Sequence, residues 1–358
     1  MGQPPPPSPQ SSTTLYRAGR RRWSRKGRRH PSTPGGHRTW SWPRRILVTL
    51  LVLVVLLLAG VATLYVWAGR QVRHVDALGG YAGRPTAGKG TNWLLIGSDS
   101  RARLTPEQRR ELHVGNSGSR NTDTVMLLHS GDRGPSLVSL PRDSYLPVPG
   151  HGRGKLNEAY ADGGPKLLTR TVEQATGLRI DHYAEVNFLG FVEVVDALGG
   201  VTLCPDKPLR DEKSGADFRA GCQEMNGTQA LAYVRARYSD PAGDLGRVKR
   251  QRQLISAVAS EMLGPGVLLN PFRLVPVLDV SLGAMTVDEG SGAWELAGLG
   301  WSMRRIAGGE GTATTVPLSG PGVSVAGSGD VLLWDDIAAG RLFRALRNDE
   351  PIPTSGNN

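Results

Sequence analysis

The chain has 358 residues, enough to bury one large or two small cores, and a formal net charge of +11 at pH 7. Eleven Arg and Lys and no acidic residue lie in residues 1–45, which leaves 32 basic against 32 acidic residues in the remainder. Because the rest of the chain is neutral, its charge does not support a protein whose whole surface attracts nucleic acid, and no nucleic-acid partner is expected.

The basic tail is followed by a long uncharged segment. Residues 1–45 are rich in Pro, Ser, Gly and Arg and almost free of aliphatic side chains, which predicts a disordered cytoplasmic tail. Residues 46–67 carry no charge, and about 20 apolar residues are enough for a helix to cross a bilayer. A cleaved signal peptide has a shorter apolar segment, so we predict an uncleaved transmembrane anchor. Because Arg and Lys stay on the cytoplasmic side, residues 68–358 are expected outside the membrane.

An α/β pattern begins after a predicted juxtamembrane linker at residues 68–87. Short apolar runs that end in polar residues predict strands, and apolar residues three or four apart predict helices. The predicted strand segments are 92–100, 122–129, 135–144, 181–188, 201–204 and 312–319. The predicted helical segments are 164–177, 191–200, 227–233, 245–263, 291–307 and 331–349. The pattern predicts one α/β domain over residues 88–348, followed by a polar tail at 349–358.

The chain has two cysteines, Cys204 and Cys222, both in the part expected outside. They bracket residues 205–221, a polar loop with too little apolar content to fold alone. An oxidising compartment favours a disulfide over two free thiols, and a bridge closing a loop of this size contributes roughly 3 kcal/mol. We therefore predict a Cys204–Cys222 disulfide.

Residues 234–252 hold a dense group of cations. The alternation in residues 234–238, if this segment is extended, sends Arg235 and Arg237 to one face. A turn follows, and Asp244 suits the N-cap of the predicted helix at 245–263.

The start of that helix is cationic, which is electrostatically unfavourable. Arg247, Arg250 and Gln251 share one side by spacing, and Leu254 and Val258 continue the same stripe into the core. A helix N-terminus prefers carboxylates by about 0.3–1 kcal/mol per group, so cations there predict a bound anion such as phosphate. The alternative is a solvated charged face neutralised by nearby carboxylates.

Two other carboxylates stand next to predicted strands. Asp99 and Asp123 occupy positions at which α/β folds commonly place sites, and two such oxygen ligands suit Mg²⁺ on a diphosphate, although Asp at a strand end often only forms a turn. Residues 150–155 resemble a phosphate-binding loop without the P-loop spacing, so we expect a flexible edge at which Lys155 is the one candidate.

Several chemistries are excluded by the motifs. Residues 97–101 do not form the G-x-S-x-G nucleophile motif, and the chain has no H-E-x-x-H. Oxidised cysteines cannot act as nucleophiles. The remaining Arg and Asp side chains suit phosphoryl transfer, and outside the membrane the natural diphosphate is one linked to a lipid.

Six motifs in order resemble the LytR-CpsA-Psr family of bacterial envelope proteins. They are NWLLIGSDSR, NTDTVMLL, SLPRDSYLPVPG, KLNEAYADGG, GTQALAYVRARY and DLGRVKRQRQLI, and they cover roughly residues 90–260. The resemblance implies a single three-layer domain, with a mixed central sheet flanked by helices and a hydrophobic tunnel for a polyprenyl chain. It implies transfer of a glycopolymer of the teichoic acid, capsule or arabinogalactan type from polyprenyl pyrophosphate to a peptidoglycan hydroxyl.

The resemblance also assigns roles to particular residues. Asp99 and Asp123 would hold Mg²⁺ or Mn²⁺. Arg142, Arg235, Arg237, Arg247 and Gln251 would bind phosphate, with Arg101, Lys155, Arg250 and Asp244 as supporting members; the catalytic set would be Arg142, Arg235, Arg237, Arg247 and Asp244.

One departure from the family pattern concerns Arg120. The family often has Arg-Ser directly before the second metal-binding Asp, whereas Asn121 and Thr122 precede Asp123 here, so the role of Arg120 stays open. Three alternative functions stay open: a polyprenyl-pyrophosphate hydrolase that uses the same site with water as acceptor, a passive lipid-diphosphate binder, and a membrane-bound transcriptional regulator that uses the basic tail of residues 1–45 on DNA. The apolar side chains of residues 265–330 either line the lipid tunnel or fill the core.

Overall fold

The computed structural model describes residues 42–99, 105–111, 122–236 and 243–352. The helices are α1 (Trp42–Gln71), α2 (Pro106–Glu111), α3 (Leu156–Thr176), α4 (Phe188–Leu198), α5 (Gly227–Arg235), α6 (Gly243–Met262), α7 (Pro265–Leu268), α8 (Pro271–Ala284), α9 (Ala293–Ala307) and α10 (Asp336–Asn348). The strands are β1 (Arg73–Val75), β2 (Thr91–Ser98), β3 (Thr122–Gly131), β4 (Gly134–Leu140), β5 (Tyr145–Val148), β6 (Gly152–Lys155), β7 (His182–Asn187), β8 (Val201–Leu203), β9 (Leu209–Asp211), β10 (Ala216–Phe218), β11 (Gln223–Met225), β12 (Met285–Asp288), β13 (Thr312–Thr315), β14 (Val323–Val325) and β15 (Gly329–Val331).

The chain divides into two units after Leu56, and α1 runs through the division. Within the described residues, α1 is the one helix long and apolar enough to cross a membrane, and its apolar stretch is not buried. It begins at Trp42 and ends at Gln71, so it extends beyond the predicted anchor at 46–67 on both sides.

A seven-stranded mixed sheet forms the centre of the second unit, in the order β1-β12-β7-β2-β3-β4-β13 among the described strands. Strand β2 is parallel to β7 and antiparallel to β3, and β3 is antiparallel to β4. The α/β class with a mixed sheet between helices is therefore confirmed.

Alternating side chains of the central strands supply two hydrophobic cores. On one face, Leu94 and Leu127 pack with Leu168 of α3 and Leu342 of α10. On the other face, Trp93, Met126 and Leu128 pack with residues of α8 and α9, and the C-terminal end of α1 packs against them. The period of two in the strands thus gives the sheet helices on both sides.

The segment predicted as a linker contributes to the domain. Val72 and Ala77 are buried, and β1 pairs with β12 in parallel. Only Val72 separates the end of α1 from the start of β1. The chain therefore passes from the apolar helix into the central sheet almost without a connector.

The Cys204–Cys222 disulfide is present, and it closes the loop between β8 and β11. The few apolar side chains of the loop pack against other elements of the domain. The loop contains the β9–β10 hairpin, and Leu209 and Phe218 are each 6% exposed in a third core. Phe218 contacts the ring of Tyr233 of α5 edge to face.

Three local predictions also need correction. Residues 234–235 are helical, because α5 continues from its Asn226–Gln229 capping box through Arg235 before Ala236 leaves the helix. Helix α6 begins at Gly243, so Asp244 lies in its first turn and is not the N-cap. Residues 152–155 form β6 and pair with β5, where the sequence predicted no strand.

The apolar residues of α8 are divided between core and surface. Val277 is 1% and Leu282 is 9% exposed, which confirms a core role for these two side chains. Val275, by contrast, is 49% exposed.

Candidate functional site at one edge of the central sheet

Asp99 and Asp123 lie at the same edge of the sheet. Asp99 directly follows β2, and Asp123 is the second residue of the antiparallel β3, so the end of one strand meets the start of the other. Asp99 is 5% exposed, and the Asp123 side chain is 24% exposed. The two carboxyl-bearing residues therefore stand at adjacent ends of neighbouring strands.

A β-bulge sets the position of Asp123. Ser98 pairs with Thr122 while Gly97 pairs with Thr124, so Asp123 is the extra residue between them. The Thr122 hydroxyl donates to the carbonyls of Gly97 at 3.2 Å and Thr124 at 3.0 Å, which fixes the bulge. A bulge redirects a side chain at a strand end, and here the redirected residue is an acid.

Arg142 connects this edge to two further charged residues. It follows β4, whose end lies beside the start of β3, and it forms an ion pair with Asp123. The Arg142 Nε also lies 3.4 Å from Asp143 Oδ2, and the Lys155 Nζ lies 3.4 Å from Asp143 Oδ1. All four side chains are less than a quarter exposed. The result is an alternating row of acids and bases: Asp123, Arg142, Asp143 and Lys155.

The start of α3 fixes Lys155 in this row. The backbone N–H groups of Leu156 and Asn157 donate to the carbonyls of Ser144 and Arg142 at 2.9 and 3.1 Å. The Glu158 carboxylate accepts from the Lys155 backbone N–H at 2.8 Å. The positive end of the helix dipole therefore lies against the Arg142 segment and adds to its positive potential.

Arg235 reaches the same edge from another direction. It is the last residue of α5, it is half-buried, and its guanidinium lies 5.3 Å from the centre of the Phe188 ring. Phe188 follows β7, whose last residue Asn187 pairs with Ser98. Arg235 therefore lies at the end of the strands that carry Asp99, held by a cation–π contact.

Arg250 and Gln251 of α6 are buried, with 7% and 8% of each residue exposed. The Arg250 guanidinium donates to the carbonyl of Ala236, where α5 ends, and lies 6.0 Å from the Tyr233 ring. Leu254 is 4% exposed, as the stripe predicted. Arg250 thus holds the end of α5, next to Arg235, through contacts within the protein.

The other predicted site residues are placed only in part. Arg101, Arg120 and Arg237 lie outside the described residues. Asp244 and Arg247 lie in the first two turns of α6, and the structure describes their backbone alone.

A hydroxyl network beside Asp99 was not foreseen from the sequence. The Glu185 carboxylate of β7 accepts from the hydroxyls of Ser98 at 2.6 Å, Tyr160 at 2.7 Å and Tyr183 at 2.7 Å. Burial, followed by the charge of Glu185, raises the pKa of the Tyr183 hydroxyl well above its usual range. The signal was available, since a carboxylate within the apolar run YAEV needs partners when the strand is central.

The donor set suits a hard divalent cation. Mg²⁺ is commonly held by one or two carboxylates, with phosphate oxygens and water completing the shell. Asp99 and Asp123 supply that number of carboxylates at adjacent strand ends. Among the described residues no group of three or more acidic, His or Cys side chains is placed to hold a metal ion.

Comparison with known proteins decides the family. The sequence model of the LytR_cpsA_psr family matches residues 68–328, which is most of the chain. The chain belongs to this family.

Individual LytR_cpsA_psr members are also similar to the chain. It is 46% identical over 307 residues to the "Probable cell wall biosynthesis protein LcpB" of Corynebacterium glutamicum, covering 85% of this chain and 72% of that protein. It is 41% identical over 147 residues to the "Polyisoprenyl-teichoic acid--peptidoglycan teichoic acid transferase TagU" of Enterococcus faecalis, covering 41% and 48% of the two chains. The solved "LytR-Csp2A-Psr enzyme from Actinomyces oris" has a TM-score of 0.60 at 22% identity, covers 77% of this chain and 96% of that one, and shows the same fold.

Proposed function

We propose that the chain is a phosphotransferase that moves a glycopolymer from a polyprenyl-pyrophosphate carrier to a peptidoglycan hydroxyl. The single observation that carries this proposal is the convergence of Asp99, Asp123, Arg142 and Arg235 at one edge of the sheet. The names of the relatives LcpB and TagU support the cell-wall context and the type of transfer.

The charged row is suited to a diphosphate. Arg142 carries a planar fork of donors that fits two phosphate oxygens, and Lys155 adds a second positive charge nearby. Asp143 lies between these two cations and keeps both directed to the same place. Arg235, placed by Phe188, approaches from the α5 side. A diphosphate at this edge would therefore meet positive charge from two elements.

The Arg142–Asp123 ion pair suits exchange with a cation-bound diphosphate. A diphosphate offers negative oxygens to Arg142, and its accompanying cation offers positive charge to Asp123. Both charges of the pair are therefore satisfied again when they separate, so the exchange leaves no buried charge unpaired. Mg²⁺ or Mn²⁺ at Asp99 and Asp123 would supply charge neutralisation of the phosphate oxygens.

The reaction forms one phosphorus–oxygen bond and breaks another. The acceptor sugar hydroxyl attacks the phosphorus nearer the glycan, and polyprenyl phosphate leaves with the bridging oxygen. A carboxylate at the same edge takes the hydroxyl proton. Arg142, Lys155 and Arg235 stabilise the negative charge that collects on the phosphate oxygens and on the leaving phosphate.

The location follows from the anchor. Helix α1 would cross the cell membrane with the basic N-terminus inside, and the domain would face the lipid carrier from outside. Membrane, lipid-linked glycopolymer and peptidoglycan are the partners that this placement provides.

The test uses the full-length chain in proteoliposomes, with a lipid-diphosphate sugar, Mg²⁺ and peptidoglycan fragments. Mass spectrometry should detect a phosphodiester-linked product. Arg142→Gln and Arg235→Gln should each lower the rate by about 100-fold, the typical cost of removing one charge-stabilising donor. Arg210→Gln is the control, because the Arg210 side chain is 83% exposed and pairs with Asp217 on the β9–β10 hairpin.

Two results would count against this function. Unchanged product formation in a double variant with Arg235→Ala and Arg247→Ala would remove the cationic site from the mechanism. Free glycan phosphate in place of the linked product would identify a hydrolase that uses water as the acceptor.

A further inference from the structure

The outward side of α9 carries a stripe of apolar and cationic residues without a carboxylate. Trp294 and Trp301 are seven residues apart, so they share one side of the helix, and they are 78% and 62% exposed. Ala297, Gly298 and Arg304 lie between or beside them and are also exposed. A helix side that faces water normally carries polar residues, so this composition indicates a different neighbour.

The Trp side chains are not needed for packing within the domain. The opposite side of α9 is already apolar, and Leu296, Leu299, Met303 and Ile306 pack against the core that covers the sheet. Helix α9 is therefore apolar on two sides, one of which is occupied. The exposed side has no partner within the described residues of the chain.

Helix α9 lies directly beside the end of the apolar helix α1. The Tyr65 hydroxyl is 3.7 Å from the point where a Cβ on Gly292, the N-cap of α9, would stand. Trp67 and Ala68 pack against the same core as Leu299. The start of α9 is therefore at the level where the uncharged part of α1 ends.

The neighbouring surface of α1 is apolar and exposed as well. Within the same unit, Leu58, Val61 and Tyr65 are 63%, 57% and 52% exposed. At this level a bilayer presents its headgroup region, which favours Trp side chains and Arg side chains that reach for lipid phosphate. The Arg304 guanidinium lies 5.8 Å from the Trp301 ring, so one residue pair offers both features.

We infer that α9 is an interfacial helix, whose Trp294–Trp301 side lies in the headgroup region of the bilayer crossed by α1. The inference rests on the proposed membrane anchor and adds a second contact to it. Two contacts fix the orientation of the domain on the membrane, whereas α1 alone would leave the domain free to rotate about the helix axis.

The test uses spin labels on the full-length chain in proteoliposomes containing anionic lipid. Both native cysteines are joined in the disulfide, so one introduced cysteine provides the only free thiol. Ala297→Cys places the label between the two Trp residues. Ser324→Cys is the control, because Ser324 is exposed on the β14–β15 hairpin, which belongs to neither α1 nor α9. Accessibility to oxygen, which concentrates in lipid, is compared with accessibility to a water-soluble nickel chelate.

The oxygen-to-nickel accessibility ratio should be several-fold higher for the label at residue 297 than at residue 324, because the label at 297 would lie at the headgroup boundary. Adding Trp294→Ser and Trp301→Ser should lower the ratio at residue 297 toward the control. Equal ratios at the two positions overturn the inference, as does spin–spin broadening at residue 297, which would show a second copy of the chain on this surface. Failure of the unlabelled chain to float with vesicles overturns the anchor, and with it both proposals, whereas flotation with equal ratios overturns only the interfacial helix.

Discussion

Replacing Glu185 by Gln tests the hydroxyl network beside Asp99. Three hydroxyls donate to this carboxylate, at 2.6, 2.7 and 2.7 Å. A glutamine oxygen has two lone pairs and no charge, so at most two of the three bonds survive, and each loses its charge assistance. Tyr183 is fully buried, so its hydroxyl has no water to replace the carboxylate.

The magnitude follows from these three bonds. A hydrogen bond to a charged group contributes about 1.5–3 kcal/mol and a neutral one about 1 kcal/mol, while an unsatisfied buried hydroxyl costs about 1–3 kcal/mol. Allowing for hydroxyl rotation, we expect Glu185→Gln to lower the free energy of unfolding by roughly 2–4 kcal/mol. At about 2 °C per kcal/mol for a large domain, Tm should fall by roughly 4–8 °C.

The assay is thermal unfolding of the full-length chain in detergent, followed by tryptophan fluorescence. The matched control is Glu193→Gln, the same change on an exposed position of α4. Because Ser98 directly precedes Asp99, Glu185→Gln should also raise the Mg²⁺ concentration needed for half-maximal transfer. A Tm change no larger than that of Glu193→Gln would show that the network does not stabilise the fold.

Three further predictions concern other parts of the domain. A lysine at position 250 cannot keep both the hydrogen bond to the Ala236 carbonyl and the contact with the Tyr233 ring. Arg250→Lys should therefore lower Tm by several degrees, and it should reduce the transfer rate because the end of α5, with Arg235, is displaced. Unchanged Tm and unchanged rate would contradict a positioning role. Replacing Cys204 and Cys222 together by Ala should lower the free energy of unfolding by about 3 kcal/mol, and equal urea midpoints for the variant and the parent would contradict this. Burial lowers the pKa of His129, so the folded protein binds a proton at this side chain less readily than the unfolded chain does. The free energy of unfolding should therefore decrease as pH falls below about 6.5. Urea titrations at pH 5 and pH 8 should show a smaller pH dependence for His129→Asn than for the parent, and an equal dependence would contradict this.

The sequence predicted the central strands because their signal is local. Strands such as β2 and β3 are short continuous apolar runs bounded by polar residues, which is typical of strands that are covered on both faces. Residues 234–238 show the limit of this reasoning. Five alternating residues favour a strand, but a capping box upstream had already started a helix, and the helix continued through Arg235.

Site residues were harder to predict than strands. The spacing of residues along a helix shows which side chains share one side of it, but not which other elements that side contacts. Arg250 and Leu254 do lie on one buried stripe, yet only the fold shows that Arg250 meets the end of α5. The pairing of Lys155 with Asp143 depends on how α3 packs on the segment after β4, which no local pattern encodes. Glu185 was missed because its partners come from three different elements.

The near absence of a connector between α1 and β1 determines how the protein can be shortened. A chain cut at residue 88, where the motifs begin, would lose β1 and the buried Ala77, leaving the backbone groups of β12 open along one side. Such a product would be prone to aggregate by pairing with another copy. A cut just before Trp67 keeps that strand together with Trp67 and Ala68, which pack on the core, and a shortened form suitable for crystallisation should start there.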